Sequence, residues 1–146
     1  MHNQRQQSNQ GSQARGLDIE IKFYEDEQKK TIHRDLFWDT AEKCADKINT
    51  AGNTKANKRT QIRRFYDEVV YYADISANDK VKFESNLPFI RMIYAKATYS
   101  LGRGHITEEF RDMLKKCITQ TKDVESFYVF KSFFEAFMGF YRNLDK

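Results

Sequence analysis

The sequence predicts an all-α fold: a compact bundle of about five helices with a disordered N-terminal tail. Three observations carry this expectation. Apolar residues recur three and four positions apart in five separate stretches, the period of a buried helix face. Pro88 is the one proline in 146 residues, so little interrupts long helices. The gaps between the stretches hold Gly, Asn, Asp and Thr, which stop and start helices. No repeat with a 20–50-residue period is visible, which argues against a solenoid.

Residues 1–16 are rich in Gln, Asn, Ser and Gly and offer nothing to a core, so they read as tail. Residues 17–23 alternate weakly, with Leu17, Ile19, Ile21 and Phe23 apolar, as in a short strand or extended arm. The chain thus divides into a flexible tail or arm over 1–30 and a helical domain over 31–146. The first helix is expected over 34–49, with Phe37, Ala41, Cys44, Ala45 and Ile48 inward and Gly52 near its C-cap. The second covers 57–75 on a stripe of Ile62, Phe65, Tyr66, Val69, Val70 and Ala73. Residues 76–85 read as a loop or short helix. Asn86 caps the third, over 87–101, and places Pro88 in a first turn that needs no N–H. Gly102, Arg103 and Gly104 close it. Thr107 caps the fourth, with Glu108 and Glu109 suiting the helix dipole and Phe110, Met113, Leu114, Cys117 and Ile118 inward. The fifth opens at Asp123 and shows Phe127, Phe130, Phe133, Phe134, Phe137, Met138 and Tyr141. Its wide aromatic arc belongs either at the centre of the core or against another chain.

Lys and Arg number 25 against 21 Asp and Glu, a net charge of +4. Distribution matters more than size. Residues 18–50 are net acidic, 51–106 carry ten basic groups against five acidic, and 107–146 balance. An anionic partner would meet the positive middle. Cys44 and Cys117 each sit on an apolar face and read as reduced core thiols of a cytoplasmic protein. The N-terminus shows no apolar signal region, and no stretch approaches the roughly 20 apolar residues of a membrane span.

Catalytic and metal sites are not expected. His33 and His105 are far apart, and neither has a His or Cys at ligand spacing. No phosphate-cradling G-x-x-x-x-G-K-S/T loop occurs, and no cofactor is implied. Helical RNA-cleaving domains often carry an Arg with four to six residues between it and a His. The positions before His33 are Asp26, Glu27 and Gln28, and before His105 they are Thr98, Tyr99 and Ser100.

The candidate binding residues lie in two groups. Lys55, Lys58, Arg59, Arg63 and Arg64 occupy a loop and a helix start, with no acid between Asp46 and Asp67. A helix N-terminus adds exposed N–H groups and a positive dipole end, suited to phosphate. Asp67 and Glu68 stand four residues after Arg63 and Arg64, so those arginines have an alternative role within their own helix. On the third helix, Phe89, Met92, Lys96, Tyr99 and Arg103 form a stripe opposite the core face of Leu87, Ile90, Ile93, Tyr94, Ala97 and Leu101. Such a stripe suits RNA or a partner. For Phe89, Met92 and Tyr99, burial in a second layer is the expectation. Lys96 and Arg103 are costly to bury and have no acid between Glu84 and Glu108. Residues 102–105 also have the composition of an anion-binding nest.

Four pieces in order resemble a known family. These are Thr60 to Tyr66 (TQIRRFY), Leu87 to Ile90 (LPFI), Ala95, Lys96, Ala97 and Tyr99 with Gly102 and Arg103, and Phe133 to Ala136 (FFEA). Over residues 57–142 the chain resembles the small subunit of the type III-A CRISPR effector, the Csm complex. The tail and first helix fall outside that resemblance. It implies a non-catalytic helical bundle whose copies stack as a filament along guide RNA and target RNA. Such copies hold the RNA backbone without sequence specificity and contact the large subunit, the backbone subunits and other copies of themselves. By matching positions it implies RNA-facing roles for Arg63, Arg64, Lys96 and Arg103. Lys55, Lys58 and Arg59 rest on charge alone. The alternative is a helical protein–protein interaction or dimerisation module without RNA contact, built on the aromatic fifth helix.

Overall fold

The computed structural model describes residues 16–144, with side chains as far as Tyr141. The expected tail therefore lies, apart from Gly16, outside the described residues. Five α-helices follow a small hairpin: β1 (Tyr24–Asp26), β2 (Thr31–Ile32), α1 (Ala41–Ala51), α2 (Arg59–Ser76), α3 (Lys80–Gly102), α4 (Glu108–Thr119) and α5 (Val124–Leu144). The fold is all-α, as its helical periodicity predicts.

α5 is the centre of the core. It packs chiefly against α1 and α2, while α4 packs against α3 and α1. Phe127, Phe130, Phe133, Phe134, Phe137 and Tyr141 are all buried. Phe134 meets Phe110 and Tyr66 edge-on, at 6.1 and 5.4 Å between ring centres, and Phe130 stacked at 6.2 Å. Edge-on and offset rings gain from their quadrupoles beyond the area they bury. Most of the wide aromatic arc is thus core, while Tyr128 stays 65 % exposed on the outer side of α5. The expected inward residues of α4 are all buried as well. Cys44 and Cys117 are free and buried, and burial pushes the Cys44 thiol up to about 12.

Two elements differ from expectation. A π-helical turn, Leu36–Thr40, precedes α1. Its wider i→i+5 closure shifts the register, so Leu36 is buried and Phe37 faces out. α3 starts two turns earlier than its apolar stripe suggests. Asp79, not Asn86, caps it, accepting from the Lys82 N–H at 3.0 Å. Pro88 lies inside this helix. Pro88 and Glu84, whose carbonyl loses its donor, are both exposed residues on the outer side of the helix.

The segment over 17–23 is an extended arm laid along α4. Leu17, Ile21 and Phe23 are buried beneath it. Asp112, Lys116 and Gln120, one turn apart, hold its backbone. The Leu17 N–H donates to Asp112 at 3.1 Å, and Lys116 Nζ donates to the Leu17 and Ile19 carbonyls at 2.6 and 2.9 Å. Gln120 donates to the Ile21 carbonyl at 2.6 Å and accepts from the Phe23 N–H at 2.9 Å. The arm therefore shares the helical core, and a division at residue 31 falls at the hairpin.

Asn57 ties the loops together. It is buried, with φ at 64°. Its Nδ2 donates to the Ile48 carbonyl at 2.9 Å and to Thr107 Oγ1 at 2.7 Å. Its Oδ1 accepts from the Thr107 N–H at 2.9 Å, and its own N–H donates to the His105 carbonyl at 3.0 Å. Tyr141 donates its hydroxyl hydrogen to the Asn57 carbonyl. One side chain thus joins the ends of α1 and α4, and its backbone reaches α5. Thr107 begins α4 as expected, but its hydroxyl serves Asn57 rather than its own helix.

Asn57→Ala is expected to lower stability by about 3 kcal/mol, since it strands buried groups and places Ala at positive φ. Asn57→Gly should recover about 1 kcal/mol of that by relieving the backbone alone. Urea denaturation midpoints measure both. Equal losses, or a loss within experimental error, would contradict this role.

Candidate nucleic-acid interface

α2 and α3 lie antiparallel, and their shared surface brings the second predicted group together with part of the first. Arg64, Lys96 and Arg103 line one groove of about 330 Å³, with Gln61, Glu68, Tyr99 and His105. Arg64 and Glu68 come from successive turns of α2, and Lys96, Tyr99 and Arg103 from successive turns of α3. Lys55 stands at the α3–α4 end, where a Cβ built on Gly104 would lie 3.8 Å from its Nζ. The Asn57–His105 backbone bond holds these two loops side by side.

The remaining predicted residues are placed elsewhere. Lys58 is exposed at the N-cap of α2. Arg59 and Arg63 line a separate groove with Thr60, Tyr66 and Met138, against α5. The run over 55–64 is therefore not one patch. Consecutive residues of a helix point about 100° apart, which sends Arg63 and Arg64 into different grooves.

Ion pairing also differs from the local reading. Arg63 keeps its Asp67 partner at 3.8 Å, with both side chains more than half exposed, so the pair adds little. Glu68 instead pairs with Lys96 across the helices. That hydrogen bond raises the Lys96 ammonium above its ordinary range. Arg64 is left without an ion pair among the described residues. Lys96, expected to lack an acidic neighbour, has one because the α2–α3 turn delivers Glu68.

The α3 stripe is not a second core layer. Phe89, Met92 and Tyr99 are 48, 43 and 66 % exposed. Phe89 stacks on Tyr72 of α2 at 6.3 Å, beside the exposed Tyr71. One face of the hairpin therefore runs from an aromatic end at Tyr72, Phe89 and Met92 to a basic end at Lys96, Tyr99 and Arg103. The run over 102–105 ends the helix and does not form the anion nest that its composition allows. The Arg103, Gly104 and His105 N–H groups donate to the Tyr99, Leu101 and Ser100 carbonyls at 3.2, 2.9 and 3.0 Å. Gly104, with φ at 74°, closes α3 with its own backbone donors already used. Glu68 had no sequence signal as a groove residue and His105 had only its place in the run over 102–105, since the hairpin turn and the Asn57 tie bring them there.

Glu68→Gln should bring the Lys96 pKa down toward its ordinary value and free its ammonium for phosphate. An NMR titration of the Lys96 side chain reads the shift, and an unchanged value would disprove the pair.

Among the described residues no group of three His, Cys, Asp or Glu is placed to hold a metal ion, and no helix is long and apolar enough to cross a membrane. No curated protein and no solved structure matches the chain significantly. A model of the Csm2 Type III-A family matches residues 22–146. That span reaches beyond the four resembling pieces and takes in the hairpin and α1. The chain therefore belongs to the Csm2 Type III-A family, the small subunits of the type III-A Csm complex.

Proposed function

We propose that this subunit is non-catalytic and holds guide and target RNA by the backbone, through the α2–α3 groove, inside the cytoplasmic effector complex. The observation that carries the reading is the convergence of Arg64, Lys96 and Arg103 on one groove, with Lys55 at its end. Convergent cations suit phosphate oxygens, and Arg fits them bidentately. Lys58 extends the positive field at the α2 N-terminus. Arg59 and Arg63 form a subsidiary face. Guide pairing supplies sequence information, so the protein need not read bases.

Few phosphate contacts per copy bind weakly and weaken with salt. Copies stacked along one RNA convert weak contacts into useful avidity. The exposed Tyr71, Phe89 and Met92 at the other end of the same face provide apolar surface for the next copy, the large subunit or a backbone subunit.

The double variant Arg64→Glu, Arg103→Glu should lower affinity for unrelated RNAs by at least tenfold at low salt, with denaturation midpoints preserved. Wild-type affinity should fall with salt by a similar factor for each RNA. Anisotropy titrations with two unrelated RNAs at two salt levels measure both. Tight, salt-insensitive binding to one sequence, or an unaffected double variant, would remove this reading. Labelled RNA should stay intact, and turnover abolished by His105→Ala would contradict a non-catalytic role.

A further inference from the structure

Tyr99 is a large aromatic side chain left two-thirds exposed in the middle of a basic groove. Arg103 Nη1 donates to the Tyr99 hydroxyl at 2.9 Å, and its guanidinium carbon lies 5.6 Å from the ring centre. That contact fixes the ring's orientation before any ligand arrives, which lowers the ordering cost of binding. Arg64 and Lys96 stand in the same groove, with Gln61, Ser100 and His105 as further polar groups. The groove, about 330 Å³, lies at the small end of ligand sites, which span about 300–1,000 Å³.

Phosphate contact alone would explain the cations but not the ring. A continuous duplex presents its backbone and hides its base faces, so an aromatic platform there gains nothing. An unstacked base offers a π-face that Tyr99 can cover, and every base has one, so sequence indifference is kept. Building on the groove as the RNA surface, we propose that Tyr99 stacks on one unpaired RNA base whose flanking phosphates are held by Arg64 and Arg103. The ligand class is then single-stranded or locally unpaired RNA, in preference to an uninterrupted duplex.

The test uses the full chain and three labelled RNAs of equal length: a mixed-sequence single strand, a perfect duplex, and a duplex with one unpaired nucleotide. Tyr99→Ala should weaken binding to the single strand and the interrupted duplex by about tenfold, leaving the perfect duplex unchanged. Tyr99→Phe should restore the preference, since it keeps the ring. Because Tyr99 is exposed, the denaturation midpoint should hold in both variants. If Tyr99→Ala affects all three RNAs equally, or none, the stacking role is wrong. If the Arg64 and Arg103 charge reversals also leave all three unaffected, the groove itself is not the RNA surface.

Discussion

The hydrogen-bonded Asn57 is the constraint on which the rest of the arrangement depends. The α1–α2 and α3–α4 loops lie fifty residues apart in sequence, and Asn57 joins them through three side-chain bonds to Ile48 and Thr107 and a backbone bond to His105. Leaving any of these buried amide groups unpaired is costly, which favours a single geometry at the junction. That geometry directs α2 away from the loop with Lys58 and Arg59 at its start, and it sets Lys55 beside Gly104. A left-handed φ at Asn57 turns the chain there, a conformation Asn tolerates better than most residues. The aromatic core then fixes how far α2 can lean, since Phe65 and Tyr66 meet Phe110 and Phe134.

Charge on the α2–α3 face is moderated rather than maximal. Glu68 occupies Lys96, leaving Arg64 and Arg103 as the more available cations. For a subunit used in several copies, moderate affinity per copy is physically sensible, because avidity multiplies small increments. Arg103 in turn is partly committed to Tyr99, so the groove is ordered in the free protein by its own residues. The arm along α4 leaves this face uncovered, being held on the Asp112, Lys116 and Gln120 side of the bundle.

Much of the fold was legible because helix periodicity reports burial directly. The inward residues of α4 and the aromatic stripe of α5 follow their 3/4 spacing. Phe37 misled because a π-turn inserts a register shift that no local composition announces. The first two turns of α3 were hidden because Phe83 is their one buried apolar residue. The candidate site was legible only in part. Arg64, Lys96 and Arg103 were identifiable as basic residues at suitable spacing, but their convergence is tertiary. Glu68 as the partner of Lys96 depends on the α2–α3 turn, where Ala77 and Asn78 adopt positive φ. Exposure of Tyr99 was misjudged because an aromatic at core-like spacing reads the same whether it faces a second layer or solvent.

The central claim is that the α2–α3 groove, rather than the Arg59 and Arg63 face, is the RNA surface. Photocrosslinking to an RNA carrying 5-iodouridine, followed by trypsin digestion and peptide mass mapping, tests it most directly. The account predicts crosslinks concentrated on the peptide over 97–103, at Tyr99. Crosslinks concentrated at Tyr66, or spread evenly over exposed aromatics such as Trp38 and Tyr128, would contradict it.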